Sequence, residues 1–140
     1  VLGVGGFLIL YFCSLLGGNL FASYYHRKSN HYAAVGASGA ISGILFSTIL
    51  LYPELELYLF FIPIPIPGYL FAAAYVAYSL YGMKMRNDNI GHTAHLGGAL
   101  CGIVLSITFK PDLLIEDSRT LIYLSLTTIA VVFWLFRKKN

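Results

Sequence analysis

Charged side chains divide the chain into five uncharged stretches: Val1 to Tyr25, Tyr32 to Tyr52, Leu57 to Met83, Ile90 to Phe109 and Thr120 to Phe136. A helix crossing the hydrocarbon layer needs about 20 apolar residues, with a range of about 17 to 25, so each stretch is long enough for one span. None shows the alternation over roughly ten residues that marks a barrel strand, and a helix satisfies its own backbone hydrogen bonds in lipid. The pattern predicts an all-α fold, a polytopic transmembrane helix bundle with spans near 1–22, 34–52, 68–83, 90–109 and 120–136, forming a single domain over residues 1–140. One segment breaks it: Phe60-Phe61-Ile62-Pro63-Ile64-Pro65-Ile66-Pro67-Gly68 cannot be regular helix, because each Pro removes a donor and biases its predecessor towards extended backbone. It is expected to be an extended interfacial lead-in to the third span, beside an aromatic belt of Tyr58, Phe60, Phe61 and Tyr69. The sequence opens on Val inside a hydrophobic stretch and is expected to be a piece of a longer protein. Val1 to Leu16 lacks the basic n-region of a cleavable signal peptide.

Composition reinforces the pattern. Apolar residues make up 58% of the chain against 11% charged, and the mean hydropathy is +0.74. Soluble domains run to about half apolar and a quarter charged, and the fifteen charged side chains here could not cover so much apolar surface. A soluble enzyme and a disordered tail are excluded on that ground. The net charge of +3 is too small and too scattered to track phosphates, so nucleic acid is not an expected partner and the lipid bilayer is. Cys13 and Cys101 lie within spans, where a free thiol behaves as a small apolar residue.

Polar groups inside spans are costly in hydrocarbon and are kept for packing or function. Gly36-Ala37-Ser38-Gly39-Ala40-Ile41-Ser42-Gly43 opens the second span, and its Gly39 and Gly43 form a small-residue ridge that lets membrane helices approach. Taken alone, Ser38 reads as a packing residue. His92-Thr93-Ala94-His95-Leu96-Gly97-Gly98-Ala99-Leu100-Cys101-Gly102 opens the fourth span, with a second ridge at Gly98 and Gly102. His95 is rarer in such a place and packing explains it less well, whereas His92, nearer the loop, reads as a wetted interfacial residue. With alternating spans, the starts of the second and fourth share one side of the membrane. Ser38 and His95 then lie roughly 8 to 9 Å below that surface, at matched depth. A serine hydroxyl needs an adjacent base to take its proton, and neutral imidazole suits that task near pH 7, so the pair could form a catalytic dyad. No carboxylate is placed to complete a triad, since Asp88 belongs to the loop about two turns before His95. This chemistry requires no cofactor and no metal.

These residues resemble a known family. Gly36-Ala37-Ser38-Gly39 matches the G-x-S-G motif, and His95-Leu96-Gly97-Gly98-Ala99-Leu100-Cys101-Gly102 the H-x-x-G-x-x-x-G motif, of the rhomboid intramembrane serine proteases. The resemblance implies an intramembrane serine endopeptidase in which Ser38 is the nucleophile and His95 the general base, cleaving transmembrane protein substrates near the membrane surface. It further implies oxyanion or backbone support from Gly36, Ala37 and Gly39, and helix packing at Gly43, Gly98 and Gly102. Members have a six-helix core, and motif order makes Val1 the start of the third helix. The earlier helix that supplies His and Asn to the oxyanion hole is thus absent from these residues, and losing one such donor costs about a hundred- to a thousand-fold in rate. Some members also carry an aromatic one turn past the nucleophile, where this chain has Ser42.

Orientation poses a conflict. Seven of nine Lys and Arg (Arg27, Lys28, Lys84, Arg86, Arg137, Lys138, Lys139) fall on the side where Ser38 and His95 open, and two (Lys110, Arg119) fall opposite. The positive-inside rule makes that side cytoplasmic. The resemblance implies the reverse, a bacterial inner membrane protein whose site opens to the extracytoplasmic side, and the expectation follows it. Two alternatives stand beside the protease: a catalytically impaired relative that binds transmembrane helices, and a metal or proton transporter using His92-x-x-His95, whose i, i+3 spacing could hold a divalent ion.

Overall fold

A computed structural model of the chain describes residues 2–29, 32, 36–85, 90–116, 118–123, 125, 126 and 133. In chain order these form α1 (Gly3–Tyr25), α2 (Ser38–Leu51), β1 (Glu56–Leu59), β2 (Ile62–Pro67), α3 (Gly68–Met85), α4 (His92–Phe109) and the short α5 (Leu113–Glu116). Helix resumes at 118–123. Most of the fifth expected span, 120–136, lies outside the described residues.

The helices have the inverted sidedness of a chain immersed in lipid. Along α1, Leu10, Ser14, Gly18 and Ala22 are buried, whereas Val4, Phe7, Leu8, Ile9, Phe12, Leu16 and Leu20 face outward. Small residues four apart on the inside let helices approach, and bulky apolar residues on the outside are stable only against hydrocarbon. Among the described residues, α1 and α4 are long and apolar enough to cross a membrane, while α2 is apolar but has only 14 residues. At 1.5 Å per residue α2 reaches about 21 Å, short of the roughly 30 Å hydrocarbon layer. It begins at Ser38, four residues later than the span expected from 34.

Helices α1, α2 and α4 meet through backbone rather than through side chains. A Cβ added to Gly98 would overlap the Gly39 carbonyl, and one on Gly102 would overlap that of Gly43. Gly39 against Gly98 and Gly43 against Gly102 is a parallel register, so α2 and α4 run in the same direction. Helix α1 runs opposite to both: Gly18 lies against Ala94 and Gly39, and Ser14 against Gly43. Helix α3 closes the far side with larger residues, in a core of Phe46, Leu50, Ala72, Val76, Leu80, Leu96 and Ala99.

The all-α expectation needs one correction. The proline run is the second strand of an antiparallel hairpin, in which Leu57 faces Ile66 and Leu59 faces Ile62 across an irregular register. Proline is tolerated there because β2 is an edge strand and its missing donors are not needed. Phe60 and Phe61 form the fully exposed turn, and the Gly68 amide closes the base by donating to the Leu55 carbonyl at 2.9 Å. The hairpin then passes directly into α3.

Candidate active site

The parallel register of α2 and α4 puts their N-terminal turns at one end of the bundle, and those turns carry the two residues of interest. Ser38 is the first residue of α2 and is exposed, with its neighbours Gly36 and Ala37 also exposed. Gly36 has φ +146, a conformation L side chains rarely adopt, and a Cβ there would touch nothing within 4 Å. Glycine is therefore required by the backbone turn into α2 and not by crowding. Ala37 accepts the first helical hydrogen bond, from Ile41 at 3.1 Å. The amides of Ser38, Gly39 and Ala40 precede it and have no acceptor within the helix, which leaves donors and the positive end of the helix dipole beside Ser38.

His95 lies in the first turns of α4, half-buried, its amide bonded to the Gly91 carbonyl at 3.0 Å. The helices touch beside it: a Cβ on Gly39 would lie 3.0 Å from the Ala94 carbonyl oxygen. Ser38 and His95 each adjoin one member of that contact. Among the described residues no hydrogen bond joins the Ser38 hydroxyl to the imidazole; His95 instead has ring neighbours, His92 at 6.3 Å and Tyr75 of α3 at 6.2 Å between centroids. Gly43, Gly98 and Gly102 are buried on the α2–α4 seam, as is Gly39.

His92 is not the wetted residue expected. It is 3% exposed, its ring set edge-on to Tyr78 at 5.2 Å and filling the notch that Gly82 leaves on α3. A side chain on Gly82 would displace it. The helix pair α3 and α4 is thereby keyed at the same end as the site.

Two features lay beyond the motifs. Ser42, one turn past Ser38, donates its hydroxyl to the Ser38 carbonyl at 3.0 Å and lies 2.7 Å from the Tyr75 hydroxyl. Thr93, buried two residues before His95, gathers His26 Nε2 at 3.1 Å and the Tyr32 hydroxyl at 2.9 Å, and the His26 and Tyr32 rings stack at 3.5 Å. This clasp ties the segment that follows α1 to the start of α4. Tyr75 is one of eleven tyrosines and carries no spacing signature; only the third dimension singles it out.

A family model described as the Rhomboid domain matches residues 1–112. The chain is 32% identical over 107 residues to "Rhomboid protein 1, mitochondrial" of Saccharomyces cerevisiae, a match covering 74% of this chain and 31% of that protein. It is 33% identical over 107 residues to "RHOMBOID-like protein 12, mitochondrial" of Arabidopsis thaliana, covering 66% of this chain and 32% of that one. The matched region thus spans about a third of each of these relatives. No solved structure matches the chain. Both relatives carry a mitochondrial name, so the bacterial inner membrane expected from motif resemblance finds no support.

Proposed function

This chain belongs to the rhomboid family of membrane proteins, and we propose that it is the part of an intramembrane serine endopeptidase that carries both members of a Ser38–His95 dyad. The observation that carries the reading is the α2–α4 seam, where glycine-to-backbone contacts at Gly39, Ala94 and Gly98 hold the two N-terminal turns side by side. Substrates are transmembrane protein segments that present an unwound peptide bond at the end of the bundle where Ser38 is exposed.

In this mechanism neutral His95 takes the Ser38 proton as the oxygen attacks the scissile carbonyl, and the carbonyl electron pair moves onto oxygen. The first-turn amides of α2, at Ser38 and Gly39, face the developing charge, with Gly36 and Ala37 setting the turn that aims them. Collapse of the tetrahedral intermediate breaks the C–N bond, and His95 returns the proton to the leaving amine. Water, deprotonated by the same imidazole, then attacks the acyl carbon; the bond to Ser38 breaks and the imidazole returns the proton to the Ser38 oxygen. The gap between hydroxyl and imidazole closes as substrate binds, since catalytic hydrogen bonds are commonly long before the complex forms.

The enclosure of His92 between Tyr78 and Gly82 favours the protease over the transporter alternative, because it commits that ring to packing. The mitochondrial names of both relatives make a mitochondrial membrane the first compartment to examine. The deciding experiment places the full-length protein in proteoliposomes with a transmembrane substrate. Cleavage by the native protein and its loss in both Ser38→Ala and His95→Ala is expected. Cleavage surviving Ser38→Ala rejects the dyad.

A further inference from the structure

We propose that Tyr75 of α3 is a positioning residue for His95, fixed by its hydroxyl to the turn of α2 that carries Ser38; the inference rests on the dyad reading above. A general base in a hydrolytic site is usually oriented by a third group, most often a carboxylate. His95 makes no side-chain hydrogen bond to a described residue, and its ring neighbours are His92, on its own helix, and Tyr75, from across the site. The Tyr75 and His95 centroids are 6.2 Å apart at 32°, within the roughly 4.5 to 7 Å over which aromatic rings attract.

Hydrogen-bond accounting fixes the direction of the other contact. Ser42 has one proton and gives it to the Ser38 carbonyl at 3.0 Å. At 2.7 Å from Ser42 Oγ, the Tyr75 hydroxyl must therefore be the donor. The phenol is pinned at its polar end to the nucleophile's turn, while Phe46 meets its ring edge-on at 5.6 Å and Phe71 lies at 6.2 Å. One side chain thus touches the backbone network of Ser38 and the ring of His95. Movement of α3 would be felt at both members of the dyad.

The test uses the full-length protein with Tyr75→Leu, Tyr75→Phe, Ser42→Ala and the Tyr75→Phe/Ser42→Ala double variant. Two readouts are taken: kcat and KM on a transmembrane substrate, and the rate at which diethyl pyrocarbonate modifies His95, resolved from His92 on the same peptide by fragment-ion masses. Tyr75→Leu is expected to lower kcat about tenfold or more with KM little changed, because small misplacements of a catalytic group are costly. It should also speed modification of His95. Tyr75→Phe keeps the ring and should recover most of kcat, losing about threefold for one hydrogen bond. The double variant should be no worse than Ser42→Ala alone, since that substitution already removes the bond to Tyr75. A Tyr75→Leu variant with native kcat and native His95 modification overturns the proposal, as does an equal loss in Phe and Leu that tracks thermal stability. If the native protein proves inert, the dyad reading fails. The modification arm still decides whether Tyr75 holds His95: a rate unchanged in Tyr75→Leu overturns the positioning role, and a raised rate supports it.

Discussion

Gly98 of α4 rests on the carbonyl of Gly39 of α2, leaving no room for even a methyl group between the helices. The contact lies one residue from Ser38 and three from His95, so the spacing of the site is set by the absence of side chains. In lipid there is no hydrophobic drive to bring helices together, and close backbone approach supplies the attraction instead.

Gly98→Leu should therefore damage stability and activity together. The new side chain meets backbone, which cannot swing aside, and overpacking in a tight core costs about 1 to 3 kcal/mol or more. A lowered unfolding midpoint in detergent with loss of cleavage is expected. Gly36→Leu offers the contrast: nothing crowds it, so its penalty comes from the left-handed φ alone, of order 1 to 3 kcal/mol. That variant should fold with a mis-set Ser38. A Gly98→Leu protein with native stability would remove the seam from the account.

Labelling by a serine-directed fluorophosphonate separates the nucleophile from its neighbour. Ser38→Ala should abolish it. Ser42→Ala should retain most of it, because Ser42 acts on the Ser38 carbonyl and not on the acyl acceptor. Equal loss in both variants would assign the motif to packing.

The split between what the chain announces and what it hides follows the range of the interactions. Charge-free stretches and the paired Gly ridges, Gly39 with Gly43 and Gly98 with Gly102, are local signals, and α1, α2, α4 and their seam lie on them. The hairpin is different. Its proline run is legible as extended but not as paired, because pairing depends on Glu56–Leu59, where Leu57, Tyr58 and Leu59 also suit a helix. His92 reads as interfacial from its position near a loop, yet its burial is decided by Gly82, on another helix. Tyr75 shows the same limit, since nothing in its own neighbourhood of sequence distinguishes it from Tyr78 or Tyr81.

Surface electrostatics should matter little. Lys110 pairs with Glu116 at 2.8 Å, both exposed, and the hydrogen bond and charge of Glu116 raise the ammonium above its ordinary value. A raised folded value means that the pair's contribution is fully present below the unfolded lysine value of about 10.4 and fades only as pH climbs through the folded one. Across pH 5 to 9, Glu116→Gln should leave the unfolding midpoint nearly unchanged, as exposed pairs do. A marked pH-dependent drop in that range would show that the α4–α5 corner carries more of the fold than its exposure indicates.

The last expectation separates the two histidines of α4 by what each removal leaves behind. His92 fills a notch against Gly82 and Tyr78, so His92→Ala opens a buried cavity, and truncations of that size cost about 2 to 5 kcal/mol. Its unfolding midpoint should fall while the rate per folded molecule stays near native. His95 is half-buried and bonded to no described side chain, so His95→Ala should leave the fold intact and remove the rate. In the native protein the base must be neutral to accept the Ser38 proton. Activity should thus fall about tenfold per pH unit at acid pH, where the base is protonated, and level off at higher pH. That descending limb must persist in His92→Ala if His95 alone is titrating; because the rings lie 6.3 Å apart, a modest shift of the midpoint is allowed, but disappearance of the limb is not. A His92→Ala protein that keeps its stability and loses its pH dependence would transfer the role of base to His92 and leave His95 as the packing residue.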